Sequence, residues 1–243
     1  MIRVGTAGWT IPRILADRFP ESGSSLQRYA TRANAAEINS TFHRPHRAET
    51  FAKWAEIVPT GFRFSVKLPR AITHEGRLLN AISPLRCFIH LIRHLEDRLG
   101  ALLVQLPPSL NFDAEIAGAF FHQIRDVFDG PVVCEPRHPS WFDVEPDELL
   151  RCEQVARVGA DPARVPEAAD PGGWTDLAYW RLHGSPRMYY SDYGTEFLRN
   201  LAEKMSASAA RERWCVFDNT ASGAALGNAL TLSDRLRLTQ QIG

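Results

Sequence analysis

The feature that most constrains this chain is a recurring one: short apolar, β-prone stretches that each end in polar residues. They are AAEINSTF with Glu37 and Asn39, FRFSVKLP with Lys67, ALLVQLPP with Gln105, VVCEPRH with Glu135 and Arg137, AYWRLHG with Arg181 and His183, and WCVFDN with Asp218 and Asn219. Counting the opening IRVGTAG and the weaker VARVGADP, eight strand-like blocks fall at 2–6, 35–39, 62–67, 101–105, 131–135, 155–160, 177–182 and 214–218. A closed parallel barrel gathers the carboxyl ends of its strands at one mouth, and that mouth is where such proteins do chemistry.

Between the blocks lie amphipathic helical patterns. Ser24 or Ser25 caps a helix with Leu26, Tyr29 and Ala33 on its apolar face. Further helices are expected around Glu49 to Ile57, Pro84 to Leu99, Ala114 to Phe128, Asp147 to Gln154 and Gly194 to Ala210. The alternation predicts an α/β fold, a TIM-type (β/α)8 barrel, in preference to an open doubly wound sheet. The sixth block is weak, and the Pro- and Gly-rich ARVPEAADPGG behind it predicts a short or irregular crossover. A chain of 243 residues suits one such barrel, so a single domain over 1–243 is expected.

Composition excludes several classes. Lys plus Arg equals Asp plus Glu at 28 each, which leaves no global field to draw in nucleic acid or an anionic membrane. The beginning MIRVGTAGW enters a strand without a secretory pattern, and no apolar run approaches membrane-spanning length; a cytoplasmic location without membrane association is the expectation. Cys87, Cys134, Cys152 and Cys215 are isolated, with no metal or redox spacing, although Cys134 adjoins Glu135. GTAG lacks the dinucleotide spacing and no Walker sequence is present.

Residues two apart on a strand share a face, which pairs Glu37 with Asn39, Ser65 with Lys67, Glu135 with Arg137 and Arg181 with His183. Facing the axis, these groups form either a structural ion-pair network or a wet, functional pocket, since burying so many charges unpaired costs several kcal/mol each, on the order of the usual desolvation penalty. In the functional reading Glu135 is the leading acid or base, with Glu37 as the second carboxylate. His183 shuttles a proton with Asp218 orienting it. Lys67, Arg137 and Arg181 form an anion clamp, which favours a small phosphorylated or otherwise anionic substrate. Trp9 and Trp141 are expected near the mouth as flat walls. Glu135, His183 and Asp218 also have the chemistry of divalent-metal ligands, although the intervening arginines disfavour a dense cluster. His90 and His94 sit one helical turn apart without HExxH, so packing or surface roles are expected for them. His43, Arg44, His46 and Arg47 make a local basic patch.

GTAGW at 5–9, EINSTF at 37–42, KLPRAITH at 67–74, QLPPS at 105–109, EPRHPSW at 135–141, RLHG at 181–184, FDN at 217–219 and Asn228 together resemble the DUF72, or YecE-like, family along essentially the whole chain. The resemblance implies a TIM barrel of undefined biochemical role, distantly similar to metal-dependent barrels such as endonuclease IV and xylose isomerase. It implies a mouth lined by Glu37, Asn39, Lys67, His74, Gln105, Glu135, Arg137, His138, Asp161, Arg181, His183, Asp218 and Asn219. Two positions depart from the family pattern: His43 stands where Tyr is common, and Pro136 where Phe is common. Pro136 removes a backbone donor and predicts that the fifth strand stops at Glu135. The segment after Asp161 is shorter than usual. Three functions compete: an enzyme acting on a small phosphorylated or nucleotide-like substrate, a divalent-metal-dependent phosphodiester hydrolase or nuclease, and a non-catalytic protein binding an anion or nucleic acid.

Overall fold

The structure is a computed structural model and describes residues 1–242, with side chains through residue 238. The strands are β1 (Ile2–Thr6), β2 (Ala35–Ile38), β3 (Arg63–Lys67), β4 (Leu99–Gln105), β5 (Val132–Glu135), β6 (Val155–Arg157), β7 (Gly159–Asp161), β8 (Gly172–Gly173), β9 (Leu177–Leu182) and β10 (Glu212–Phe217). All pair in parallel except the two-residue β8, which returns antiparallel onto β6. The helices are α1 (Ser25–Ala30), α2 (Ala48–Ile57), α3 (Ile82–Ile92), α4 (Ala114–Val127), α5 (Val144–Cys152), α6 (Thr195–Ala207) and α7 (Ala224–Ile242). This is the expected α/β, TIM-type arrangement. The fifth strand ends at Glu135, and α5 starts earlier than its apolar pattern suggested because Asp143 caps Val144.

The wall consists of two ladders, β1-β10-β9-β7 and β2-β3-β4-β5-β6-β8, that meet at two seams. At one, the predicted sixth strand is divided. Its first half pairs with β5, Val158 donates to Cys134 O at 2.8 Å, and its second half pairs with β9. Behind it the crossover is irregular as expected, a 3-10 turn at Pro166–Ala169 followed by β8. At the other seam, side chains replace most of the ladder between β1 and β2. Val4 N donates to Asn34 Oδ1 at 2.9 Å, and the Asn34 amide donates to Ile2 O at 2.9 Å. The Tyr29 hydroxyl accepts from Thr6 N at 2.9 Å and donates to Ala35 O at 3.0 Å. The approach is so close that a Cβ on Gly5 would stand 2.1 Å from Ala35 O, which is why the first motif needs glycine there.

Strand periodicity sorts the apolar residues into three clusters. Phe64, Val66, Leu102, Val104, Val132 and Cys134 point outward onto helices α1 to α5. Trp180, Leu182, Cys215 and Phe217 do the same beneath α6 and α7. The alternate residues Ala35, Ala101, Leu103, Val133, Leu177, Tyr179, Trp214 and Val216 fill the barrel interior, where Tyr179 and Trp214 stack at 5.8 Å. One step further toward the carboxyl ends, the interior position on six of the strands turns polar: Glu37, Lys67, Gln105, Glu135, Arg181 and, just past β10, Asp218. The strand pattern itself therefore stacks a charged layer on an apolar one.

Candidate functional site

Arg181 is the centre of the charged layer and is fully buried. Its Nε and Nη2 donate to the two oxygens of Glu37 at 2.9 and 2.8 Å, its Nη1 donates to Glu135 Oε2 at 3.0 Å, and Nη2 also lies 2.9 Å from Asp218 Oδ2. Glu135 in turn accepts from Gln105 Nε2 at 3.0 Å, from Arg137 Nε at 3.0 Å, and contacts His183 Nε2 at 2.9 Å. The other His183 nitrogen, Nδ1, faces Asp218 Oδ2 at 3.0 Å, so both contacts are hydrogen bonds when the ring carries two N–H groups. Burial alone would push the Glu135 carboxyl up, but Arg137, His183 and Arg181 outweigh it and hold the group well below the usual carboxylate range. Asp218 is depressed in the same way, burial being overcome chiefly by Arg181. Both carboxylates are ionised; Glu135 has donors on both oxygens, whereas Arg181 and His183 both meet Asp218 at its Oδ2.

Above this lattice opens a cavity of about 580 Å³, lined by Asn39, Phe42, His43, Lys67, Arg70, His74, Gln105, Arg137, Tyr189, Tyr190, Asp218, Thr220 and Ala221. Its walls are built locally. The Thr41 hydroxyl lies 2.8 Å from Ile38 O and 2.6 Å from Lys67 O, which pins the turn after β2 to the end of β3 and sets Phe42 under the Lys67 side chain. The Lys67 ammonium sits 4.0 Å from the Phe42 ring centroid, is almost wholly buried, and has no hydrogen-bonded acceptor among the described residues. Desolvation, reinforced by the Arg181 cation, lowers it to about 8 against the opposing pull of Glu37, Glu135 and Asp218. A single π-helical turn at Ala71–Glu75 brings His74 over the same Phe42 ring, at 4.8 Å. Burial and then Lys67 lower the His74 imidazole to about 4, so it is neutral. Asn39 Oδ1 is buried with no hydrogen-bond partner among the described residues. Tyr189, held at φ 70°, and Tyr190 form an exposed aromatic rim.

The expected residues therefore divide. Asn39, Lys67, His74, Gln105, Arg137 and Asp218 line the cavity, while Glu37, Glu135, Arg181 and His183 lie under it as a sealed floor. Glu135, expected at the mouth, is buried beneath the cavity and is not among its lining residues. Five other residues are elsewhere. Trp141 is buried in the core with its indole donating to Leu110 O at 2.9 Å, and Trp9 packs edge-on against Trp54 and Phe64. The His138 ring accepts from Ser140 N and caps the 3-10 turn that follows β5. The Asp161 carboxylate accepts from the Tyr193 hydroxyl at 2.6 Å, and the Asn219 amide donates to Ser191 O and Asn228 Oδ1. The wall residues passed over, Phe42, Arg70, Tyr189, Tyr190, Thr220 and Ala221, lie in the segments that follow strand ends, and only that position signalled them.

The three residues named as possible metal ligands each pair elsewhere. His183 spends its two nitrogens on two different carboxylates, so Glu135, His183 and Asp218 do not converge on one point, and Arg181 and Arg137 occupy the space between. No group of three or more metal-ligating side chains converges among the described residues.

The family model for the protein of unknown function DUF72 matches residues 3–242. The chain belongs to the DUF72 family. A DUF72 protein of Thermotoga maritima MSB8 superposes with a TM-score of 0.81 at 26% identity over 98% of this chain and 99% of that one. A DUF72 protein of Enterococcus faecalis V583 gives 0.80 at 25% identity over 98% and 96%. The UPF0759 protein YecE of Escherichia coli (strain K12) is 28% identical over 145 residues, 58% of this chain and 50% of its own length. The UPF0759 protein YunF of Bacillus subtilis (strain 168) is 27% identical over 153 residues, 58% and 52%. The matched region thus spans about half the length of those curated relatives. No described helix of this DUF72 chain is long and apolar enough to cross a membrane.

Proposed function

We propose that this protein is an enzyme acting on a small anionic substrate, phosphorylated or nucleotide-like, held in the cavity at the carboxyl ends of the strands. One observation carries the reading: the Lys67 ammonium is buried, faces the cavity and has no hydrogen-bonded acceptor among the described residues, although burying a cation costs several kcal/mol, on the order of the usual penalty, unless something pairs with it. The floor cannot supply that partner, because its carboxylates are already claimed by Arg181, Arg137 and His183. An anionic group entering from solvent supplies it. Arg137 and Arg70 on the cavity wall add directional donors suited to phosphate or carboxylate oxygens. Tyr189 and Tyr190 offer exposed rings to a flat or sugar-like body.

The floor contributes order rather than contact. It holds Arg137 by the bond from its Nε to Glu135, so that donor is aimed before the substrate arrives. Titration calorimetry with inorganic phosphate, pyrophosphate and a nucleoside monophosphate tests the reading. At least one is expected to bind and to weaken by about tenfold or more in Lys67→Met, the loss of one charge-assisted contact. Absence of binding by all three would overturn it.

A further inference from the structure

We propose that Lys67 is a nucleophile that forms an imine with an aldehyde or ketone group of the anionic substrate. The inference rests on the anion-binding reading of the same cavity and names what is done there. An amine attacks a carbonyl only in its unprotonated form, and a lysine is brought to that form by desolvation and by a neighbouring cation. Both act here: the Lys67 side chain is almost wholly buried against the face of Phe42, and Arg181 lies in the layer below. Among the described residues no carboxylate is hydrogen-bonded to the ammonium to hold it charged. The lowering of this group to about 8 agrees with that geometry.

The division of labour on the walls fits the same chemistry. Arg137 and Arg70 are permanent cations and take the phosphate or carboxylate of the substrate, which leaves the amine for the carbonyl. Asn39 Oδ1, buried and without a donor, accepts from a substrate hydroxyl. His74 is neutral and adds no competing charge. The step balances without a redox partner. The lysine nitrogen bonds to the carbonyl carbon while the C=O electron pair moves to oxygen, which gains a proton as nitrogen loses one through solvent in the open mouth. The resulting carbinolamine then expels its hydroxyl as water, and the C=N bond forms.

The chain has three lysines, Lys53, Lys67 and Lys204, and the other two are exposed, which makes them internal standards. Wild-type protein is incubated near neutral pH with glycolaldehyde phosphate or pyridoxal phosphate, reduced with borohydride, and mapped by peptide mass spectrometry. The expected result is an adduct at Lys67 forming about tenfold or more faster than at Lys53, from the larger fraction of free amine discounted for its lower basicity, and slowed by inorganic phosphate. Labelling of Lys67 no faster than Lys53, or labelling that phosphate does not slow, overturns the proposal. Calorimetry with phosphate on the same protein reports separately: phosphate bound without preferential labelling sinks the imine alone, whereas no phosphate bound sinks the pocket as well. Lys67→Arg, checked for an unchanged unfolding midpoint, keeps a cation for phosphate to pair with and is expected to keep phosphate binding while losing phosphate-sensitive labelling; phosphate-sensitive labelling that persists in this variant places the reactive amine elsewhere and overturns the nucleophile.

Discussion

Arg181 and Glu37, 144 residues apart, form a two-pronged ion pair at 2.8 and 2.9 Å with neither side chain exposed to solvent. The pair spans the barrel between its two ladders, since Arg181 belongs to β9 and Glu37 to β2. It links side chains where the backbone between β1 and β2 makes few direct bonds.

Removing the guanidinium leaves Glu37 and part of Glu135 charged and unpaired in the interior. Arg181→Met is expected to lower stability by about 3–5 kcal/mol, the usual loss when one member of a buried pair is deleted. Urea unfolding followed by tryptophan fluorescence measures it; a loss under about 1 kcal/mol would mean that water or rearrangement satisfies the carboxylates.

Glu135→Gln is expected to destabilise for the same reason, by about 2–4 kcal/mol, because Arg137 loses its counter-charge and Arg181 and His183 each lose one carboxylate partner. The effect depends on pH. Glu135 and Asp218 are both depressed in the folded state, so the stability they contribute is fully present above the ordinary carboxylate range and drains away as pH falls through their lowered values. Denaturant midpoints of wild type and variant should therefore differ most near neutrality and converge in strong acid.

Lys67 has the opposite sign. Its folded value of about 8 lies below the 10.5 of an unfolded lysine, so between those limits the unfolded chain binds more protons and stability gained from this group rises with pH. The penalty is full below about 8 and absent above 10.5. Lys67→Met is accordingly expected to match or exceed the wild type by about 1–3 kcal/mol at neutral pH, an advantage that vanishes in alkaline buffer or when phosphate fills the wild-type cavity. A variant less stable than wild type at neutral pH would show that the ammonium is well satisfied.

Trp141 tests whether the core assignment is right. Trp141→Ala is expected to cost about 3–5 kcal/mol from the cavity it leaves, while phosphate affinity in the folded variant stays unchanged. Loss of affinity without loss of stability would return the indole to the mouth.

How much of this was legible in the residues varies with the distance over which they act. Alternation along single strands reveals the barrel and its polar upper layer, because facing depends only on the pleat. Whether a charge at that height meets water or is sealed depends on what reaches it across the barrel. Lys67 and Glu135 end neighbouring parts of one sheet and look alike in sequence, yet one opens on the cavity while the other is enclosed by Gln105, Arg137, Arg181 and His183. Loop aromatics were harder still. Phe42 lines the mouth because a threonine hydroxyl folds its turn back on β3, whereas Trp141, in an equally suggestive motif, turns inward to bond Leu110 O. The division of the sixth strand at Val158 had only the poverty of β-branched residues as a sign.

The seam between the first two strands has a dynamic consequence. The amides of Val4 and Thr6 rest on an asparagine carbonyl and a phenol, each of which swings away by rotation of a side chain alone. Proton exchange with heavy water should accordingly reach these two positions sooner than their laddered counterparts on β4, and a cylinder that loosens there widens directly beside Glu37 without unzipping any sheet.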